Sequence, residues 1–505
     1  MAGSVFICCR ESMAIKFAIR GNQGNDLEDT VELPQKILPL WVVALPLIGL
    51  IGLIVFGLIL PPLVGNTPPL ALELVFLLAA FFAVLVLRMG GVPWSQLQNS
   101  IVERMQAAMP AFFILIFIGA LIGSWMVCGT IPMLVYWGLQ IVDPDYFYLT
   151  AFLVPVLFSS LTGTSYGSAA TIGVVLIGIG AALGADLGIT AGAIIGGAYF
   201  GDKLSPLSDT TNLAAIACDV DLYGHIHSML YTTLPSAVLA GLVFFAVGWG
   251  GGDDFSVPDS AQLENLLQGL TALFDFNVFL LLPPLIVLLG SVLKQPSLPT
   301  LLLSIVVAIL LALVFQTYSL HQVGESLKSG FNFSTMSGHR EMAESVVALV
   351  NRGGIYSMSE PIFIAFLVFF FIGAVDSVSA IPRVIQSLLR WSERPLTTAL
   401  TALFSTGVVN AMSSNQYATS FIVGDAFRRK FDQVGIDRRV LSRSLEDYGT
   451  MIESLLPWTT TTLFMVATLG VAWSDYWHWQ LLSLINLAVA PLVLVLGFGW
   501  FRGKL

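Results

Sequence analysis

Between Gly201 and Asn212 the chain reads Gly-Asp-Lys-Leu-Ser-Pro-Leu-Ser-Asp-Thr-Thr-Asn, a run dense in oxygen-bearing side chains. Asp202 and Asp209 supply carboxylates, while Ser205, Ser208, Thr210, Thr211 and Asn212 add neutral oxygens. Pro206 has no N–H, so a helix passing through it leaves the carbonyl of Asp202, four residues earlier, without its intrahelical partner. Carboxylates, hydroxyls and freed carbonyls suit a small hard cation or a proton. A carboxyl kept from water can hold a proton near cellular pH and yield it to an arriving cation, so one group serves both ions in turn.

The run lies between apolar stretches, Gly188 to Phe200 before it and Leu213 to Cys218 after it. A broken, oxygen-rich helix in such surroundings is tolerated inside a membrane only where it lines a cavity. The whole chain agrees. Of its 505 residues, 56% are hydrophobic and 11% charged, with mean hydropathy +0.84, against about 25% charged in soluble domains. A span needs about 20 mostly apolar residues, and apolar stretches from Leu38–Leu60 to Leu481–Trp500 predict roughly eleven to thirteen crossings. The expected class is an all-α polytopic membrane protein whose partner is the lipid bilayer. Residues 1–37 read as a cytoplasmic tail, 38–249 as a first membrane half broken at 201–212, 250–275 as an acidic extracytoplasmic linker, and 276–505 as a second half broken at 453–462.

Orientation follows from Lys and Arg, which concentrate in cytoplasmic loops. Arg88 with Arg104, then Arg383, Arg390 and Arg394, then Arg428 to Arg443, and finally Arg502 and Lys504 are expected inside, giving a cytoplasmic carboxyl terminus. The linker carries Asp253, Asp254, Asp259, Glu264 and Asp275 with no Lys or Arg, and is expected outside.

The second half repeats the first at a constant offset of 251, which sets Asp202 on Glu453, Pro206 on Pro457, Ser208 on Thr459, and Thr164-Ser165 opposite Asn415-Gln416. The paired acid-xxx-Pro elements keep a mechanism, since Pro457 frees the Glu453 carbonyl as Pro206 frees that of Asp202. Combined with the charge map, the repeats are expected to run in opposite directions through the membrane, the layout of alternating-access transporters. The candidate ion-binding set is therefore Asp202, Asp209, Ser165, Ser208, Thr210, Asn212, Asn415, Glu453 and Thr459, with Asp202 and Asp209 as the exchanging carboxylates.

Gly163-Thr-Ser-Tyr-Gly167, the run from Gly197 to Asn212, Ser442-Arg-Ser-Leu-Glu-Asp447 and Pro457-Trp-Thr459 together resemble the NhaC family of sodium/proton antiporters. The resemblance implies a secondary transporter of a prokaryotic inner membrane, moving sodium ions and protons and needing no cofactor. Relatives with similar motifs exchange malate and lactate with sodium, so small carboxylates or amino acids are the alternative cargo. Asn415 stands where the family commonly has an acidic residue, and Glu453 where it commonly has a small polar one.

Other polar residues have plainer readings. Glu446 and Asp447 follow an Arg-rich run and read as a solvated salt-bridge network, Glu360 and the pair His225 and His227 as interfacial groups, and Lys203 as a partner for Asp202. Gly180 to Gly196 at intervals of four read as a helix-packing ladder. No metal-ligand spacing, Ser/His/Asp order or nucleotide loop points to an enzyme, and no basic patch to nucleic acid; a homo-oligomer is left open.

Overall fold

The computed structural model describes residues 39–61, 70–250, 260–336, 342–378 and 394–501; the architecture below is that of the unit Leu40–Leu505. The tail 1–37 and the linker acids Asp253, Asp254 and Asp259, like Arg383, Arg390, Arg502 and Lys504, lie outside the described residues.

The described residues are helical, with no strand among them. In chain order the helices are α1 Leu40–Ile54, α2 Leu72–Met89, α3 Trp94–Val127, α4 Thr130–Ile141, α5 Phe147–Thr162, α6 Ser165–Ala182, α7 Leu187–Leu204, α8 Asp209–Cys218 and α9 Leu222–Gly250. The second half contains α10 Ser260–Leu273, α11 Leu282–Val292, α12 Ser297–Phe315, α13 Leu320–Ser329, α14 Glu344–Val350, α15 Ser359–Asp376, α16 Pro395–Ser413 and α17 Gln416–Gln433. It closes with α18 over residues 438–453, α19 Thr460–Leu469 and α20 Leu481–Leu496. Eight helices among the described residues are long and apolar enough to cross a membrane, or up to ten if two sharply bent pairs are counted as single spans. The chain is a polytopic membrane protein.

Helices that carry the polar site account for much of the difference from eleven to thirteen crossings. The stretch Leu455–Val471, expected to span, contains the ten-residue α19, about 15 Å long at 1.5 Å per residue and half the ~30 Å hydrocarbon thickness. α8 has the same ten-residue length. Both are half-helices, each following a proline-containing break.

The sequence repeat is a structural repeat. α6 and α17 have first and last residues that differ by 251, and so do α8 and α19. Left-handed residues recur in register at the helix ends: Gly163 (φ 69°) with Ser414 (φ 50°), Gly184 (φ 69°) with Gly435 (φ 73°), and Asp219 (φ 56°) with Gly470 (φ 69°). Caps recur too, as Asp186 accepts from Ile189 N and Asp437 from Arg439 N.

The glycine ladder divides between two helices, because Gly184 forms the turn between α6 and α7. The α7 glycines bring backbones together: a Cβ on Gly197 would sit 2.1 Å from the Phe152 carbonyl oxygen of α5, and one on Gly192 2.4 Å from that of Trp479. Without a hydrophobic drive between helices in lipid, such close approach supplies the packing energy. It fixes α7, whose last turn carries Asp202, against its neighbours.

Candidate functional site

At the end of α7 the helix stops at Leu204, because Pro206 cannot continue its hydrogen-bond ladder. The chain turns through residues 205–208 and re-enters helix at Asp209, with Ser208 as its first flanking residue. The Asp202 carboxylate is buried at this break and satisfied on both oxygens. Oδ2 accepts from Ser165 N at 3.1 Å and Ser165 Oγ at 2.6 Å, and Oδ1 from Ser208 Oγ at 2.7 Å. Ser165 is presented by the amino-terminal turn of α6, which starts immediately after the left-handed Gly163 and the capping Thr164. The carbonyl freed by Pro206 is not left open: Thr211 Oγ1 donates to the Asp202 oxygen at 3.2 Å and to that of Lys203 at 2.9 Å.

The second break is built alike. Glu453, at the end of α18, is buried, with Thr461 Oγ1 donating to Oε2 at 2.7 Å and Asn410 Nδ2 to Oε1 at 3.3 Å. Its backbone carbonyl accepts from Thr459 Oγ1 at 2.5 Å and from Thr462 Oγ1 at 2.8 Å. Thr462 is the repeat counterpart of Thr211, so the same hydroxyl caps the same freed carbonyl in both halves. The Gln416 backbone amide lies against the Glu453 carboxylate as that of Ser165 lies against Asp202. Four helix amino termini, those of α6, α8, α17 and α19, therefore gather where the two breaks meet, and their positive ends favour anionic side chains there.

Both carboxylates open on one cavity of about 500 Å³. Ser165, Asp209, Thr210 and Asn415 also line it. Asp209 is exposed at the first position of α8, and Asn415 caps α17 by accepting from Ala418 N. Three of the candidate residues are second to the wall. Ser208 holds Asp202, Thr459 is wholly buried and caps α19, and Asn212 Nδ2 donates to the carbonyls of Pro206 at 2.9 Å and Ser208 at 2.6 Å. The wall includes residues that sequence reading passed over: Tyr166, whose hydroxyl meets Thr461 Oγ1 at 2.9 Å, Thr450 and Lys294; it also includes Arg104, which the charge map set with Arg88 in a cytoplasmic loop and which lies within α3.

Lys203 does not pair with Asp202. Its Nζ lies 2.5 Å from Asp447 Oδ1, with both side chains at 2% exposure or less. The same carboxylate accepts from Thr232 Oγ1 at 2.8 Å and Asn486 Nδ2 at 3.3 Å, and Arg443 Nε stands 4.0 Å from its other oxygen. Glu446 and Asp447 are thus buried rather than solvated. The repeat itself carried the signal, since it sets them opposite Ile195 and Gly196 in the apolar middle of α7. His225 is likewise buried and bonded to Ser442 Oγ at 2.8 Å, whereas His227 and Glu360 are exposed.

Comparison with known proteins gives this arrangement its context. A sequence model of the Na+/H+ antiporter family matches residues 197–500, from the glycine run of α7 through both breaks. An uncharacterized Na+/H+ antiporter of Haemophilus influenzae is 39% identical over 427 residues, covering 84% of this chain and 90% of its own. The Na+/H+ antiporter NhaC of Alkalihalophilus pseudofirmus is 34% identical, covering 81% and 86% of the two chains. A malate-2H+/Na+-lactate antiporter of Bacillus subtilis is 32% identical, covering 83% and 88%. With a family match over more than half its length and full-length relatives at these identities, the chain belongs to the Na+/H+ antiporter family.

Proposed function

We propose that this antiporter carries its sodium ion and its proton through the cavity between the two breaks, with Asp202 as the principal exchanging carboxylate and Glu453 as its partner. The observation that carries the reading is the pairing of two buried carboxylates, one from each repeat, on one cavity wall. Burying such groups within a membrane is costly and by default marks a transport site. Ser165, Ser208, Thr210, Asn415 and Thr461 supply neutral oxygens beside them. Asp209 contributes a further charge at the cavity wall, while Thr459 and Asn212 hold the breaks in shape.

Alternating access follows from the repeat: if the two halves are inverted, exchanging their conformations opens the cavity to the opposite face. The protein then sits in a prokaryotic inner membrane with its carboxyl terminus in the cytoplasm. Single cysteines at Asp254 and Arg439 are expected to react with an impermeant reagent from opposite sides; labelling of both from outside rejects the inversion.

The exchange itself is tested in proteoliposomes by a proton-sensitive dye, adding sodium, lithium, potassium and malate separately. Sodium is expected to move protons without malate. Glu453→Gln removes one of the two buried cavity carboxylates but leaves Asp202 with all its donors. Exchange is expected to persist with the sodium concentration for half-maximal rate raised about tenfold, the cost of ~1.4 kcal/mol in binding. An unchanged sodium dependence assigns Glu453 a structural role alone.

A second reading has its own support. The cavity's about 500 Å³ exceeds the need of one bare cation and suits a small organic ligand, and Arg104 and Lys294 on its wall provide positive charge for a carboxylate. Malate-dependent sodium flux in the same vesicles, absent with sodium alone, favours that reading over simple exchange.

A further inference from the structure

Glu446 is a buried carboxyl to which nothing above gives a task. It is wholly buried, and it opens a π-helical turn, Glu446–Thr450, within α18. Such turns are rare and concentrate at functional sites, because the widened turn shifts the side chains that follow it. Its counterpart in the first repeat, Ile195, lies in ordinary α-helix. At this repeat position, carboxyl and turn are therefore features of the second half alone.

Oε2 of Glu446 accepts from Thr450 Oγ1 at 2.6 Å, whereas Oε1 has no hydrogen-bond partner among the described residues. The charged and titratable groups whose electrostatic influence reaches it are Lys203 and Asp202 from α7, Asp447 beside it on α18 and Tyr417 from α17. Of these Lys203 is already engaged by Asp447. Arg443, one turn earlier, stands against the other Asp447 oxygen, and His225 of α9 is bonded to Ser442. An ionised Glu446 would bury a charged oxygen with no donor, a costly state, whereas in the neutral acid the unpaired oxygen carries no charge. Thr450, which holds the other oxygen, lines the cavity together with Glu453. One hydroxyl thus connects a protonated acid to the cavity.

We propose that Glu446 is a proton-carrying residue of the exchange cycle, separate from the carboxylates that hold sodium, and that it communicates with the cavity through the Thr450 hydroxyl. For release the O–H sits on Oε2, and the Thr450 hydroxyl, turned to accept that proton, gives its own to cavity water. The carboxylate left behind feels the positive charge of Lys203 and is reprotonated by the same route when the cavity opens to the other side. This rests on the cavity being the exchange site.

The test separates proton movement from sodium movement in the full-length protein. In proteoliposomes, Glu446→Gln is expected to lower sodium-driven proton movement at least about 100-fold, while counterflow of radiolabelled sodium stays within about threefold, the scatter of a change outside its ligands. Thr450→Val is expected to slow proton movement and spare counterflow. In purified protein, the infrared band of a protonated carboxyl is expected to diminish in Glu446→Gln and persist in Thr450→Val. Wild-type proton movement in Glu446→Gln, an unchanged infrared band, or loss of counterflow together with proton movement in monodisperse protein each overturns the proposal. If Glu446→Gln does not fold, Thr450→Val decides: normal proton movement overturns the relay, and selective loss supports it. A wild-type protein that moves no protons with sodium defeats the exchange reading itself, a result distinct from failure of Glu446 alone.

Discussion

Asp202→Asn is expected to abolish sodium-driven proton movement, by about 100-fold or more, while the protein still inserts and purifies as a monodisperse species. The amide keeps the size of the side chain: its oxygen can still accept from Ser165 and its Nδ2 can donate to the Ser208 hydroxyl, so the break at Pro206 retains much of its support. What is lost is a negative charge in a low-dielectric wall. An effect of ~3 kcal/mol on cation binding there corresponds to about 100-fold. Asp209→Asn is expected to be milder, within about tenfold, because Asp209 is exposed at the first turn of α8, where its charge also interacts with the helix dipole at ~0.3–1 kcal/mol. Measuring both variants by the dye assay checks the order. Near-normal exchange by Asp202→Asn would sink the proposed site, and equal loss in both would move the principal carboxylate away from Asp202.

Lys203→Met is expected to give the largest loss of stability. It removes the nearest cation from the Asp447 carboxylate, which is buried and left with two neutral donors, Thr232 and Asn486, and with Arg443 at 4.0 Å. Breaking a buried pair from one side costs ~3–5 kcal/mol, because an uncompensated charge remains. Thermal unfolding of the detergent-solubilised protein, followed by size exclusion, is expected to shift sharply downward. The double variant Lys203→Met, Asp447→Leu removes both charges and is expected to recover much of the loss. A double variant no more stable than Lys203→Met indicates that the pair contributes through shape rather than charge. The pair joins α7 of the first repeat to α18 of the second, so its loss is also expected to loosen the two breaks relative to each other.

The membrane class, the two breaks and their internal repeat were determined by the sequence itself. Hydropathy, the two prolines and the 251-residue offset are local properties, and each has a direct structural consequence. A proline ends a ladder wherever it falls, and the matching helix bounds of α6 with α17 and α8 with α19 follow from matching caps and breaks. Asp202 and Glu453 were legible for the same reason, as acids four residues before a proline.

Partnership between distant side chains was decided only by the tertiary structure. That the Asp202 carboxylate is held by Ser165, that Asn410 reaches Glu453, and that Lys203 turns to Asp447 depend on how separate helices cross. No spacing along the chain encodes those crossings. Burial of the Glu446 to Asp447 segment was misread because charge density in a sequence signals water, whereas here Lys203 from another helix meets Asp447 and the Thr450 hydroxyl holds Glu446. Asp202 and Asp209 look alike as letters, but a helix end packed backbone to backbone buries the first, and a helix start facing the cavity exposes the second.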